Sequence, residues 1–289
     1  MTAEQQQAEA LTNTTRDEAP GVIAVDHVSM TFSGHDASQS VHALDDISLG
    51  IRKGEFVCLL GPSGCGKSTL LSIIGGLAQP TAGSVSISGV TIDRPRPRDV
   101  AFVFQESTLL PWYTVLENFR LALKFQGLAN ARWRERAMHA LSVVGMEQFA
   151  NHYPRQLSGG MKQRINLARG LCVETEVLLL DEPFASLDEQ TRMVLGEDLS
   201  ILLARTGKTI VFVTHSLAEA VFLADRIIVM TARPGRIKAS INVPQPHPRS
   251  PDFMLTSEFG AIRNDLYALL RDEIRATVAR MREARDAHG

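Results

Sequence analysis

Several absences bound what this chain can be. No apolar run approaches the roughly 18 residues of a membrane-spanning helix. Neither sign of charge dominates: 30 Lys and Arg stand against 32 Asp and Glu, for a formal net charge of −2, so nothing resembles the basic stripe that tracks nucleic acid. Cysteine is scarce and odd in number, 3 in 289 residues. Cys58, Cys65 and Cys172 lie in apolar or loop stretches and fit reduced thiols better than a disulfide framework. The first ten residues are polar and acidic, which does not read as a signal peptide, and residues 1–20, rich in Gln, Thr and Glu, read as a disordered tail.

What is present is organised around Gly61-Pro62-Ser63-Gly64-Cys65-Gly66-Lys67-Ser68-Thr69. An apolar run, residues 55–60, precedes it and reads as a buried strand; residues 69–74 follow as the start of a helix. Strand, glycine-rich loop and helix is the context a phosphate cradle needs. Without Cβ atoms in the way, backbone N–H groups can converge on an anion, and the helix N-terminus adds orphan donors and partial positive charge. In such a loop Lys67 reaches the β- and γ-phosphates and the Ser68 hydroxyl ligates Mg²⁺. Cys65, inside the loop, reads as a small residue that fits there.

Ahead of the loop, residues 22–32 alternate apolar and polar, and residues 41–51 form a second strand that closes a hairpin across the turn-rich stretch 33–40. Residues 83–92 read as another strand. This β-rich opening is unlike a plain doubly wound fold, in which strands and helices alternate from the start. Phe32, at the end of the first strand, is either a core aromatic or a platform for an adenine ring.

Beyond the loop, residues 100–104 are apolar and end at Gln105, which either orients water and Mg²⁺ near a phosphate or caps a loop. Leu110, Trp112 and Tyr113 around Pro111 make an apolar loop that is hard to bury locally, and that is either tucked under a helix or a docking surface for another protein. Residues 115–127 and 131–145 have helical periodicity, so 106–157 reads as a helical insertion. Residues 158–164 lead to a helix read over 165–172; Ser158 is a good N-cap, and Gly159 and Gly160 expose N–H groups at the helix start, a second anion-binding terminus in one chain. Residues 177–180 are wholly apolar, as suits a strand covered on both faces, and end in Asp181-Glu182, where ligands bind in open α/β sheets. There Asp181 would hold Mg²⁺ through water and Glu182 would activate an attacking water. Ser186-Leu187-Asp188 opens the next helix, at the least as an N-cap. A further buried strand, 209–214, ends at His215 on the same sheet edge, where the imidazole is either structural or a contact to a γ-phosphate. Residues 244–251 read as a Pro-rich linker and 259–282 as an amphipathic, charged terminal helix.

In this order the motifs resemble the ATP-binding cassette (ABC) ATPase family over residues 22–235. Gly61 to Thr69 looks like the Walker A loop, Gln105 like the Q-loop, Leu157-Ser-Gly-Gly-Met-Lys-Gln-Arg164 like the signature, residues 178–182 like Walker B with its catalytic glutamate, and Ser186-Leu187-Asp188 like the D-loop. The family more often has Ser-Ala-Leu-Asp where this chain reads Ala-Ser-Leu-Asp. His215 resembles the switch histidine and Phe32 the adenine-stacking aromatic, commonly Tyr.

The resemblance implies an α/β fold: a P-loop NTPase with a mixed central sheet, an N-terminal antiparallel β subdomain and a helical signature subdomain. It implies an ATPase domain over 21–243, the helical subdomain at about 106–157 with the signature helix after it, and 244–289 as linker and C-terminal helix. It implies ATP and Mg²⁺ as cofactors, with Ser68, Gln105 and Asp181 at the metal and Glu182, His215 and Gln105 in catalysis. It implies a head-to-tail dimer in which Ser158, Gly159 and Gly160 close on the nucleotide of the other copy, with Asp188 at the interface. The stretches Gln105-Glu-Ser-Thr-Leu-Leu-Pro-Trp112 and Arg233-Pro-Gly-Arg-Ile237 are similar to the nitrate, sulfonate and taurine importer group. That group implies a separate permease, an extracytoplasmic solute-binding protein as indirect partner, and a peripheral place on the cytoplasmic face of the inner membrane. The competing class, a soluble cassette ATPase acting on DNA or ribosomes, tends to carry coiled-coil insertions or tandem cassettes, and neither is seen in this sequence.

Overall fold

A computed structural model describes residues 21–33, 40–128 and 132–286. The tail expected over 1–20 and most of the turn expected over 33–40 lie outside the described residues. Two sheets carry the fold. The first is antiparallel, in the order β2 (Val41–Ile51), β1 (Ile23–Phe32), β4 (Ala82–Ile87), β5 (Val90–Thr91). The second has six strands in the order β10 (Ile237–Asn242), β9 (Arg226–Met230), β3 (Phe56–Leu60), β8 (Thr209–Thr214), β7 (Val177–Asp181), β6 (Val100–Val103). All its pairs are parallel except β10 with β9, so the central sheet is mixed.

The residue pattern explains this split. Strands β3, β7 and β8 are buried along their whole length, as parallel strands covered on both faces must be. Their side chains alternate between two cores. Val57 and Leu59 face the antiparallel sheet and α1 (Lys67–Ile74), with Ile47, Leu70 and Ile74. Phe56, Cys58 and Leu60 face the opposite side, with Phe119, Ile165, Phe212 and Phe222. The helices of that side are α2 (Val115–Phe125), α3 (Trp133–Val143), α4 (Gly159–Cys172), α5 (Glu189–Thr206), α6 (Leu217–Leu223) and α7 (Ser257–Asp286). Thr114 and Glu117 close a reciprocal capping box on α2, which fixes where that helix begins.

Three expectations need correction. The single strand read over 83–92 is a hairpin: β4 turns at Ser88 and Gly89, both at positive φ, and returns as β5. The helix after Ser158 starts at Gly159, not at Ile165, because Ser158 caps the Met161 N–H at 3.3 Å. The stretch 244–251 is no free linker. Its Arg249 is fully buried and donates to the carbonyls of Val221, Phe222 and Ala224, which end α6. All three thiols are free, and no described helix is long and apolar enough to cross a membrane.

Candidate functional site

The parallel register sets the site. Leu60 pairs with Thr214, and Asp181 with Val213, so the carboxyl ends of β3, β7 and β8 form one edge. Gly61, Glu182 and His215 leave that edge together, and Gln105 follows β6 beside it. This is the crevice where open α/β sheets hold ligands.

The loop from Gly61 to Gly66 is shaped by its glycines. Gly64 and Gly66 have φ of 75° and 100°. At Gly66 an added Cβ would lie 2.6 Å from Leu44 Cδ2 and 3.0 Å from the Ala43 carbonyl, so only glycine lets the loop pass under β2. The buried Lys67 side chain folds across the loop, and Nζ donates to the carbonyls of Gly61 (2.8 Å) and Pro62 (2.9 Å). Burial raises the pKa of the Cys65 thiol, and the nearby Lys67 ammonium only partly offsets this. Cys65 is therefore a packed thiol, not a nucleophile.

Below the loop, the Ser68 hydroxyl donates to Asp181 Oδ1 at 2.9 Å. Burial holds the Asp181 carboxyl above its ordinary range, opposed by the Ser68 hydrogen bond and helped by the neighbouring Glu182 charge. Glu182 is one residue on, at φ 43°, with its N–H on the Val213 carbonyl at 3.0 Å. Its Oε2 lies 3.4 Å from Gln105 Nε2 and 3.2 Å from His215 Nδ1. A carboxylate oxygen only accepts, so in this contact His215 carries its proton on Nδ1.

These groups open on a cleft of about 420 Å³. Phe32, Ser63, Gly64, Gly66, Lys67, Ser68, Thr69, Gln105, Glu182 and His215 line it. Phe32 keeps 47% of its surface exposed on the cleft wall, so it is not a core aromatic. Gly61, Pro62 and Cys65 stand behind the wall, and Asp181 lies behind Ser68. Ser158, Gly159 and Gly160 are not in the cleft. They sit at the start of α4, where a Cβ on Gly160 would be 3.3 Å from Leu187 Cδ2, so the signature turn packs beside Ser186-Leu187-Asp188. Asp188 caps α5 by accepting the Thr191 N–H at 2.9 Å. Val41, Ala43 and Arg233 also line the cleft, and no role was assigned to them from sequence. Val41 and Ala43 reach it through the hairpin; Arg233 reaches it from a turn 169 positions from Gly64.

Ser68 Oγ and Asp181 Oδ1 are hard oxygen donors of the kind that suits Mg²⁺. Among the described residues no cluster of three or more His, Cys, Asp or Glu could hold a metal by itself. A small donor set fits a cation that completes its shell with substrate phosphate and water.

Residues 44–185 match the family model described as ABC transporter. An uncharacterized ABC transporter ATP-binding protein of Methanocaldococcus jannaschii is 42% identical over 90% of this chain and 95% of its own length. The taurine import ATP-binding protein of Rhizobium johnstonii is 39% identical over 92% of this chain and 100% of its own. The nitrate import ATP-binding protein NrtD of Synechocystis is 42% identical over 80% and 89%. Among solved structures, the dimeric post-hydrolysis state of the ATP-binding cassette MJ0796 bound to ADP and Pi superposes with a TM-score of 0.70 at 34% identity, over 78% of this chain and all of that one. Sequence, sheet order and the residues gathered at the sheet edge agree, and this chain belongs to the ABC transporter family as an ATP-binding cassette.

Proposed function

We propose that this chain is the ATP-hydrolysing subunit of an importer for a small anionic or organic solute of the nitrate, sulfonate or taurine kind. The observation that carries the reading is the Glu182 carboxylate, held between Gln105 and His215 at the mouth of the cleft that Lys67 and Ser68 line. The importer class draws on relatives whose names are taurine import and nitrate import ATP-binding protein.

In this reading Phe32 stacks on adenine, and the N–H groups of Gly61 to Thr69 wrap the phosphates. Lys67 leaves its two carbonyl partners for phosphate oxygens, an exchange that keeps its charge paired. Ser68, Asp181 and Gln105 would hold Mg²⁺, which when bound neutralises phosphate charge. Glu182 takes a proton from the attacking water at Oε2 as that water bonds to the γ-phosphorus and the bond to ADP breaks. His215 Nδ1–H steadies the carboxylate. Ser158, Gly159 and Gly160 act on the nucleotide of a second copy, with Asp188 at the junction. Trp112 is 67% exposed, and its loop is the docking surface for a membrane permease. The chain then works as a peripheral subunit on the cytoplasmic face, behind an extracytoplasmic solute-binding protein, with no nucleic acid partner.

The test of the chemistry is Glu182→Gln. It is expected to bind ATP, to turn over at a hundredth of wild-type rate or less, roughly the share of a general base, and to accumulate as an ATP-loaded dimer. Wild-type turnover in that variant overturns the assignment. Uptake of nitrate, taurine and alkanesulfonates by a deletion strain identifies the solute.

A further inference from the structure

We infer that Arg233 is a further phosphate-contacting residue of the nucleotide cleft, and that Glu273, on the C-terminal helix α7, positions it. The inference rests on the nucleotide reading above and adds a residue and a distant support to it.

Arg233 belongs to a tight turn between β9 and β10. Thr231 closes the turn: its N–H donates to the Arg236 carbonyl at 2.9 Å, and its hydroxyl donates to the Pro234 carbonyl at 3.0 Å. The turn is wedged between two parts of the cleft. Gly235 donates to the Ala43 carbonyl at 2.9 Å, and its own carbonyl accepts from the Asp45 N–H at 3.0 Å, so the turn is hydrogen-bonded to β2. On its other side Gly235 lies against the phosphate loop so closely that a Cβ would stand 2.0 Å from the Cys65 carbonyl oxygen. Arg236 adds an ion pair with Asp45. From this position Arg233 reaches the cleft wall, and its Nε donates to the Gly64 carbonyl at 3.2 Å.

A guanidinium has five donors in a planar fork. One of them fixes Arg233 to the loop that would wrap the phosphates, and the fork so anchored sets a second positive charge on the wall that Lys67 lines. Phosphate oxygens are the part of a nucleotide that such a fork recognises.

Glu273 holds the turn from behind. One carboxylate oxygen accepts the Ala232 N–H at 2.8 Å, next in sequence to Arg233, and the other accepts from Lys238 Nζ at 2.8 Å. Lys238 also donates to the Leu269 carbonyl at 2.9 Å, and Leu266 and Leu270 bury the same helix against the core. The C-terminal helix is thus joined to the phosphate loop through one carboxylate and one turn.

The test uses the full chain. Binding of ATP, ADP and adenosine is measured by calorimetry for wild type, Arg233→Ala, Glu273→Ala, Glu273→Gln and the Arg233→Ala/Glu273→Ala double variant, with thermal unfolding as the check on folding. Arg233→Ala is expected to weaken ATP and ADP by about tenfold and to leave adenosine unchanged, the effect of one charge-assisted hydrogen bond. Glu273→Ala is expected to raise the KM for ATP while kcat at saturation stays within twofold; Glu273→Gln, which keeps an acceptor for Ala232, restores most of the loss. The double variant is expected to be no weaker than Arg233→Ala alone, since both act through one contact. Unchanged ATP affinity in a folded Arg233→Ala, equal losses for adenosine and ATP, or additive losses in the double variant overturn the inference. If wild type itself fails to bind ATP, the nucleotide reading fails with it; if wild type binds and only these variants behave normally, this inference fails alone.

Discussion

Glu182 sits in the left-handed region at φ 43°, a conformation that costs a residue with a Cβ about 1 kcal/mol. The Val213 carbonyl holds its N–H there, and the bend points its carboxylate at Gln105 and His215. Asn tolerates this region better than Glu. Glu182→Asn is therefore expected to melt at the wild-type temperature or above while losing about a hundredfold or more in turnover. Thermal unfolding and phosphate release, measured on one preparation, check both halves. Among single residues, the spacing of Gly61, Gly66, Lys67 and Ser68 was legible because each answers to a local need of backbone or phosphate. Arg233 was not legible as part of the cleft. Its reach depends on a turn that β9, paired with β3, brings beside the loop from 169 positions along the chain, and no local pattern encodes that.

Elements were legible in proportion to their periodicity. The apolar runs of β3, β7 and β8 announced themselves, and the hairpin of β1 and β2 did so by alternation. The break between β4 and β5 was hidden because Ser88, not only Gly89, takes a positive φ. The 244–251 strap looked like a linker because prolines dominate it, while its anchor is one buried cation. Burial lowers the pKa of Arg249 to about 10, so it stays protonated at neutral pH. Its Nη1 satisfies three carbonyls at the end of α6. Arg249→Ala is expected to cost about 3–5 kcal/mol in urea unfolding, because the carbonyls lose their donor and Asp225 loses a charge partner. Arg249→Lys is expected to recover little, since a compact ammonium cannot span the same acceptors.

The attachment of α7 is sensitive to acid. Burial alone would raise the Glu273 pKa, but hydrogen bonds from Lys238 and Ala232 bring it below the usual carboxylate range. A carboxyl depressed in the folded state contributes stability above its unfolded pKa, about 4.3, and loses it as pH falls through the lower folded value. The stability gap between wild type and Glu273→Gln, about 1–3 kcal/mol at pH 7, is expected to narrow as pH falls from about 4.3 through the lower folded value. Urea titrations at stepped pH read that gap directly. A constant gap shows that the charge on Glu273 is not what holds the helix.

At the scale of the whole molecule, the cleft and the signature turn are separate surfaces of one chain: Lys67 lines the first, and Ser158 to Gly160 begin α4 outside it. If two copies complete each other's sites head to tail, defects on different surfaces complement. Lys67→Ala and Ser158→Arg are each expected to be inactive alone. Mixed in equal amounts, they are expected to recover hydrolysis, because one of the two composite sites in a mixed dimer is intact. No recovery on mixing, with dimers present in both preparations, overturns the shared-site arrangement.

The chain has two tryptophans, and their surroundings differ. Trp133 is half-covered beneath the Arg120 guanidinium, whereas Trp112 stands 67% exposed at the tip of its loop. Ultraviolet emission from the isolated chain is therefore expected to carry the red-shifted signature of a hydrated indole. Any partner that covers that loop moves the spectrum to shorter wavelength, giving a label-free optical gauge of assembly already present in the native sequence.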